Sequence, residues 1–93
     1  MLDTQSISDL KELLNLYMDN SEKGSIALNK GDWVIAEGGY NKWWELYFGE
    51  IAIPVADCIA GEVNVYGDTL SNEDKVLVKN VILETLKYLS VWN

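Results

Sequence analysis

The chain contains 93 residues, of which 48% are hydrophobic and ten are aromatic, and it carries a net charge of −8 with no arginine or histidine. This length predicts one domain, residues 1–93, that buries its own core. The sequence lacks a secretory signal and an apolar run of about 20 residues, which predicts a cytoplasmic protein without membrane contact, and its acidic charge argues against nucleic acid as a ligand.

The first predicted element is an amphipathic helix that ends near Asn20. Ser6 is a suitable N-cap, with Asp9 three residues further on as a short version of the capping box. Apolar residues then recur at steps of three and four, which predicts one buried stripe. The stripe contains Ile7, Leu10, Leu13, Leu14 and Tyr17.

A β-hairpin is predicted next. The segments 25–29 and 33–37 flank a turn at residues 30–32, in which Gly31 would take a left-handed conformation. The turn therefore predicts that these two segments pair as antiparallel strands.

The aromatic-rich segment 40–48 is interpreted as a third strand. Side chains alternate between the two faces of a strand, so Trp44 and Phe48 would face the core while Trp43, Glu45 and Tyr47 point outward. Its tryptophans and tyrosines also fit a three-four spacing, so a helix over the same residues is the alternative.

A short helix is predicted to follow, beginning at Pro54 and ending before Gly61. Val55, Cys58 and Ile59 would line its inner side. Residues 62–66 are interpreted as a short strand or an extended connection.

The last predicted element is a long helix capped by Ser71, with acidic Glu73 and Asp74 in its first turn. Its apolar stripe contains Val78, Val81, Ile82, Leu86, Tyr88 and Leu89. The elements together predict an α+β two-layer domain: an N-terminal helix, an antiparallel sheet of three or four strands, a short helix and a long C-terminal helix.

The residue types on which catalysis and metal binding most often depend are scarce. Without histidine, the commonest general base and metal ligand is missing. Cys58 has no basic neighbour in the sequence and is expected to be a core thiol. Glu37, Glu45 and Glu50 lack the spacing of a calcium loop. We therefore expect no enzyme, metal site or cofactor, with a small carboxylate-based enzyme as an alternative.

Acidic and aromatic residues coincide in the middle of the chain. Nine of the 15 acids, seven of the ten aromatics and one of the seven lysines lie between Gly31 and Asp74. Aromatic anchors within a negative surface suit a basic protein partner. The predicted partner-binding residues are Asp32, Glu37, Tyr40, Trp43, Glu45, Tyr47, Glu50 and Asp68.

In these features, and in the segment 32–50 (DWVIAEGGYNKWWELYFGE) above all, the chain resembles small acidic immunity proteins of bacterial toxin–immunity systems, including contact-dependent growth inhibition. The resemblance implies a monomer that forms a heterodimer with a basic cognate toxin domain, often a nuclease, and neutralises it by occluding its active site. Another acidic inhibitor or adaptor that mimics nucleic acid, for instance one encoded by a phage, is the alternative.

Overall fold

The computed structural model describes residues 2–20, 27–38, 43–49, 53–59 and 62–86, which form two helices and five strands. In chain order these are α1 (Thr4–Asn20), β1 (Ala27–Lys30), β2 (Trp33–Gly38), β3 (Trp43–Phe48), β4 (Ile53–Ile59), β5 (Glu62–Val65) and α2 (Asn72–Leu86). The strands form one antiparallel sheet in which each strand pairs with its neighbour in the chain, in the order β1-β2-β3-β4-β5. The α+β class is therefore confirmed.

Both helices pack on one face of this sheet. The helix α1 contacts β1 and β2, α2 contacts β5, and the two helices contact each other. The predicted stripe of α1 is confirmed, because Leu10, Leu13, Leu14 and Tyr17 are all fully buried. Neither described helix combines the length and the apolar character that a membrane span requires.

The predicted hairpin and third strand are confirmed for residues 27–37 and 43–48, while residues 25–26 and 40–42 of these predictions lie outside the described part of the chain. Lys30 pairs with Trp33 across a two-residue turn, and Gly31 has a φ of 57°, the left-handed conformation that its glycine was expected to supply. In β3, Trp44 and Leu46 are buried in the core. The helical alternative for this segment is wrong.

The short helix predicted from Pro54 is wrong, because the same residues form strand β4. The register pairs Leu46 with Ala56 but Tyr47 with Pro54, so Val55 is an extra residue in a β-bulge. The bulge buries two consecutive residues, Val55 and Ala56. The bulge thereby breaks the alternation of buried and exposed residues along the strand. The resulting spacing of apolar residues resembles that of a helix.

The two helix caps differ in how well the sequence predicted them. The Ser6 cap is wrong: α1 starts two residues earlier, and the Ser6 amide donates to the Asp3 carboxylate over 2.8 Å. The Ser71 cap is confirmed, since its hydroxyl accepts from the Asp74 amide at 3.1 Å. In α2, Val78, Val81 and Ile82 are buried as expected. The side chain of Leu86, together with Tyr88 and Leu89, lies outside the described part of the chain.

Candidate partner-binding face

The sheet has a second face, turned away from both helices. Because side chains alternate along a strand, burial of Trp33, Ile35, Trp44 and Leu46 on the helix side assigns their neighbours to the opposite side. No described element packs on that side. We call it the open face, and the register places on it Asn29, Val34, Ala36, Glu45, Tyr47, Pro54, Asp57, Ile59, Glu62, Asn64 and Tyr66.

Two carboxylates lie side by side at the centre of the open face. Glu45 of β3 is directly opposite Asp57 of β4 in the register, and both side chains are half-buried. The Cβ atoms of directly opposite residues are about 5 Å apart, and like charges in such positions destabilise a sheet. Glu45 and Asp57 are called the carboxylate pair below.

Each member of the carboxylate pair accepts a side-chain hydrogen bond. The Tyr47 hydroxyl donates to Glu45, and this bond, with burial, raises the pKa of Tyr47 to about 12. The side-chain amide of Asn64 donates to Asp57 at 3.2 Å. Burial, followed by the negative charges of Asp57 and Glu45, raises the pKa of Tyr66. At neutral pH both phenols keep their protons, and the Tyr47 hydroxyl orients Glu45.

Positive charge in the described part of the chain is confined to the helix side of the sheet. Lys11 lies on α1, and Lys75 and Lys79 lie on α2. Lys30 is on β1 but reaches α1, where its Nζ lies 3.0 Å from Glu12 and its pKa is raised by that bond. The described open face therefore presents carboxylates without a lysine to offset them.

Two further predicted residues lie at one end of the sheet. Neighbouring strands are antiparallel, so the turn before β2 and the turn after β5 are at the same end. Asp32 is in the first turn and Asp68 is in the second, and both are exposed. The backbone amide of Gly49 donates to the Asp32 carbonyl at 3.0 Å, which ties this turn to the end of β3. Three strand spacings separate the two aspartates, about 14 Å.

The structure thus brings together part of the predicted site. Glu45 and Tyr47 meet at the centre of the open face. Glu37 and Trp43 belong to β2 and β3, but their side chains lie outside the described part of the chain. The remaining two, Tyr40 and Glu50, also lie outside the described residues.

Sequence reasoning missed most of the open face, including three polar residues that lie near Glu45: Asp57, Asn64 and Tyr66. The prediction places Asp57 in a helix, which separates it from Glu45. The available signal was the alternation of Asn64 and Tyr66 with two valines, which is typical of a half-buried strand. Pairing that strand with the segment before it would have put all three on one face.

The arrangement offers hydrogen-bond acceptors and negative charge, without a cluster that would hold a metal. No group of three carboxylate or thiol side chains suitable for a metal ion occurs among the described residues. Cys58 is only 2% exposed and lies opposite Trp44 in the core, as expected of a core thiol. The chemistry that this face supports best is recognition of cationic side chains.

Comparisons with protein-family models, with curated proteins and with solved structures yielded no match to this chain.

Proposed function

We propose that this chain is an immunity protein that binds a basic bacterial toxin domain, a nuclease in particular, and occludes its active site in the cytoplasm. The observation that carries the proposal is the carboxylate pair, held by hydrogen bonds from Tyr47 and Asn64 on a sheet face that no described element covers and no described lysine neutralises. A cationic partner side chain would relieve the repulsion between Glu45 and Asp57. Binding would therefore gain free energy that the unbound sheet lacks.

The tyrosines supply the apolar part of such an interface. Tyr47 is half-buried and Tyr66 is 39% exposed, so each ring is supported by the sheet and retains free surface. Tyrosines held in this way bury large area at small entropic cost and are frequent anchors of protein interfaces. Ile59, 53% exposed, adds an apolar contact at the end of β4.

The size of the open face indicates that the partner also contacts the end of the sheet. Five strands of about five residues cover roughly 400 Å². A stable interface buries about 800 Å² on each partner. Extension over the turns that carry Asp32 and Asp68 would supply further area and negative charge. The predicted residues at that end would then belong to the rim of the same interface.

The test uses the protein encoded in the reading frame adjacent to this gene, which the proposal identifies as the toxin. The two purified proteins should form a tight complex, and the complex should lack the activity of the toxin. Replacing the carboxylate pair (Glu45→Gln with Asp57→Asn) should weaken binding at least about tenfold and slow association at low salt. Tyr47→Ala should weaken it by about 2 kcal/mol, provided that circular dichroism shows the fold retained.

The matched control removes two charges from the helix side. Glu73→Gln with Glu84→Gln changes the net charge by the same amount at exposed positions of α2. Binding should stay within about twofold of the unmodified protein. Equal losses in both double variants would show that net charge, and not the open face, governs association. Absence of complex and of inhibition would refute the immunity function itself.

A further inference from the structure

A second surface lies between the last strand and the last helix. A groove of about 440 Å³ runs between β5 and α2. Residues 63–66 form its sheet wall, and Lys75, Val76 and Lys79 form its helix wall. Two lysines on one wall make this groove opposite in charge to the open face.

The sheet wall of the groove is an unpaired strand edge. In the described sheet β5 pairs with β4 alone. The Tyr66 amide donates to the Val55 carbonyl at 2.8 Å and so points toward β4. Because backbone groups of successive strand residues point to alternate sides, the amides and carbonyls of Val63 and Val65 point into the groove. They are positioned to pair with an additional strand.

The helix wall supplies two cations without a described counter-charge. Neither Lys75 nor Lys79 forms an ion pair with any described residue, whereas Lys30 is paired with Glu12. Val76 lies between them and is 59% exposed, so the wall also offers an apolar contact. Unpaired lysines flanking an exposed valine stand out in a chain whose net charge is −8.

We propose that this groove binds an extended acidic peptide segment of another protein, which adds to β5 as a sixth strand. Lys75 and Lys79 are four residues apart on α2, a rise of about 6 Å. Residues two apart on a strand are separated by about 6.8 Å. A peptide with acidic side chains at alternate positions therefore matches both lysines while its backbone pairs with Val63 and Val65.

The charge of the groove selects this occupant over a second copy of the chain. Pairing two β5 edges would bring together two molecules that each carry −8, which electrostatic repulsion disfavours. An acidic peptide of a few residues brings its carboxylates directly to the lysines. The groove meets the open face at Asn64 and Tyr66, but its lysine wall belongs to α2 and lies on the helix side, so the binding of an acidic segment goes beyond the proposed function.

The probe is a pentapeptide with blocked termini, with glutamate at its first, third and fifth positions and valine between. Titration into the isotopically labelled full chain, followed by nuclear magnetic resonance, should shift the amides of Val63 and Val65. Lys75→Gln with Lys79→Gln should weaken binding by about tenfold or more, since bonds to charged groups are the strong ones. Lys11→Gln, which removes a helix-side charge elsewhere, should leave binding unchanged.

Two further arms test the mode of binding. Methylation of the peptide backbone nitrogens should abolish binding, because strand addition requires the amide hydrogens. Lys75→Glu with Lys79→Glu should bind the same peptide with lysine in place of glutamate, which shows that the variant is folded.

The proposal is wrong if the methylated peptide binds as well as the original, or if the Lys75 and Lys79 variants lose nothing. Shifts confined to the open face would also overturn it, as would a concentration-dependent dimer that protects the β5 amides without peptide. Removing the carboxylate pair should leave peptide binding intact, so this test stands apart from that of toxin binding.

Discussion

The carboxylate pair is predicted to reduce the stability of the free protein, and a double-mutant cycle measures that effect. Glu45→Gln and Asp57→Asn remove each charge while keeping size and the ability to accept a hydrogen bond. Each single change alters several interactions, including the charge-assisted bonds from Tyr47 and Asn64. The cycle cancels those contributions and isolates the term that the two residues share.

The expected coupling follows from the register. Residues directly opposite on antiparallel strands have Cβ atoms about 5 Å apart, and carboxylates on them about 6 Å apart repel by about 0.7 kcal/mol at the dielectric constant of water. Both groups are half-buried, so their screening by water is incomplete. Asp57→Asn changes the free energy of unfolding by one amount when Glu45 is present and by another when Glu45 is replaced by Gln. We expect the change to be about 0.7 kcal/mol more stabilising when Glu45 is present.

Urea unfolding of the natural protein, the two single variants and the double variant at low ionic strength measures this coupling free energy. The measurement requires that the unfolding free energy depends equally on urea concentration in all four proteins. In 1 M salt the screening length falls to about 3 Å, so the coupling should fall to less than half. A control cycle pairs Glu45 with Glu62, which lies two strands away on β5 at about 12 Å, and should give at most about half of that coupling. A favourable coupling between Glu45 and Asp57, or none at low salt, would refute the reasoning.

Three other properties are testable on the isolated protein. Gly31→Ala should destabilise by about 2 kcal/mol in urea unfolding, because φ is 57° and the Asp9 carboxylate would have to move away from the added Cβ; an unchanged midpoint would contradict the turn geometry. Ultraviolet titration should find a tyrosine ionising near pH 12 that Tyr47→Phe removes; its raised pKa contributes stability below about pH 10 that is lost as pH rises toward 12. Asp3 has a lowered pKa because the Ser6 amide bonds to it, so its contribution is present above about pH 4 and lost as pH falls through the lowered pKa. Asp3→Asn should therefore show a smaller loss of stability than the natural protein between pH 6 and pH 2.5.

The elements that were predictable from the sequence are those in which apolar residues recur at a regular interval. In α1 the apolar stripe has no interruption, so its buried residues follow from spacing alone. In β3 the doublet of Trp43 and Trp44 allowed a helix, but alternation beyond it placed Leu46 inside and Glu45 outside. Glycine at the β1–β2 turn fixed the hairpin because a left-handed residue was needed there.

The elements that were not predictable depend on contacts between segments distant in the chain. The bulge at Val55 is defined by its pairing with β3, and no local pattern marks it. Likewise Asp3 and Ser6 are both acceptable caps; α1 starts at Thr4 with Asp3 as its cap, and the Trp33 indole donates to the Ser6 carbonyl at 2.8 Å. The two residues are 27 positions apart in the chain, so the contact cannot be predicted from the local sequence.

The candidate site has the same dependence on long-range pairing. Glu45 and Tyr47 could be placed outward from alternation, but Asp57 joins them only through the register of β3 with β4. A sheet face shaped for stability alone would favour opposite charges across neighbouring strands. Here two carboxylates are opposed, and the hydrogen bonds from Tyr47 and Asn64 hold them in place instead of neutralising them. A site of this kind lowers the stability of the free protein, and a bound cation relieves the repulsion. Such a trade-off is expected where binding and stability compete. If the double-mutant cycle shows the repulsion and the toxin complex abolishes it, the two measurements together locate the binding energy on the open face.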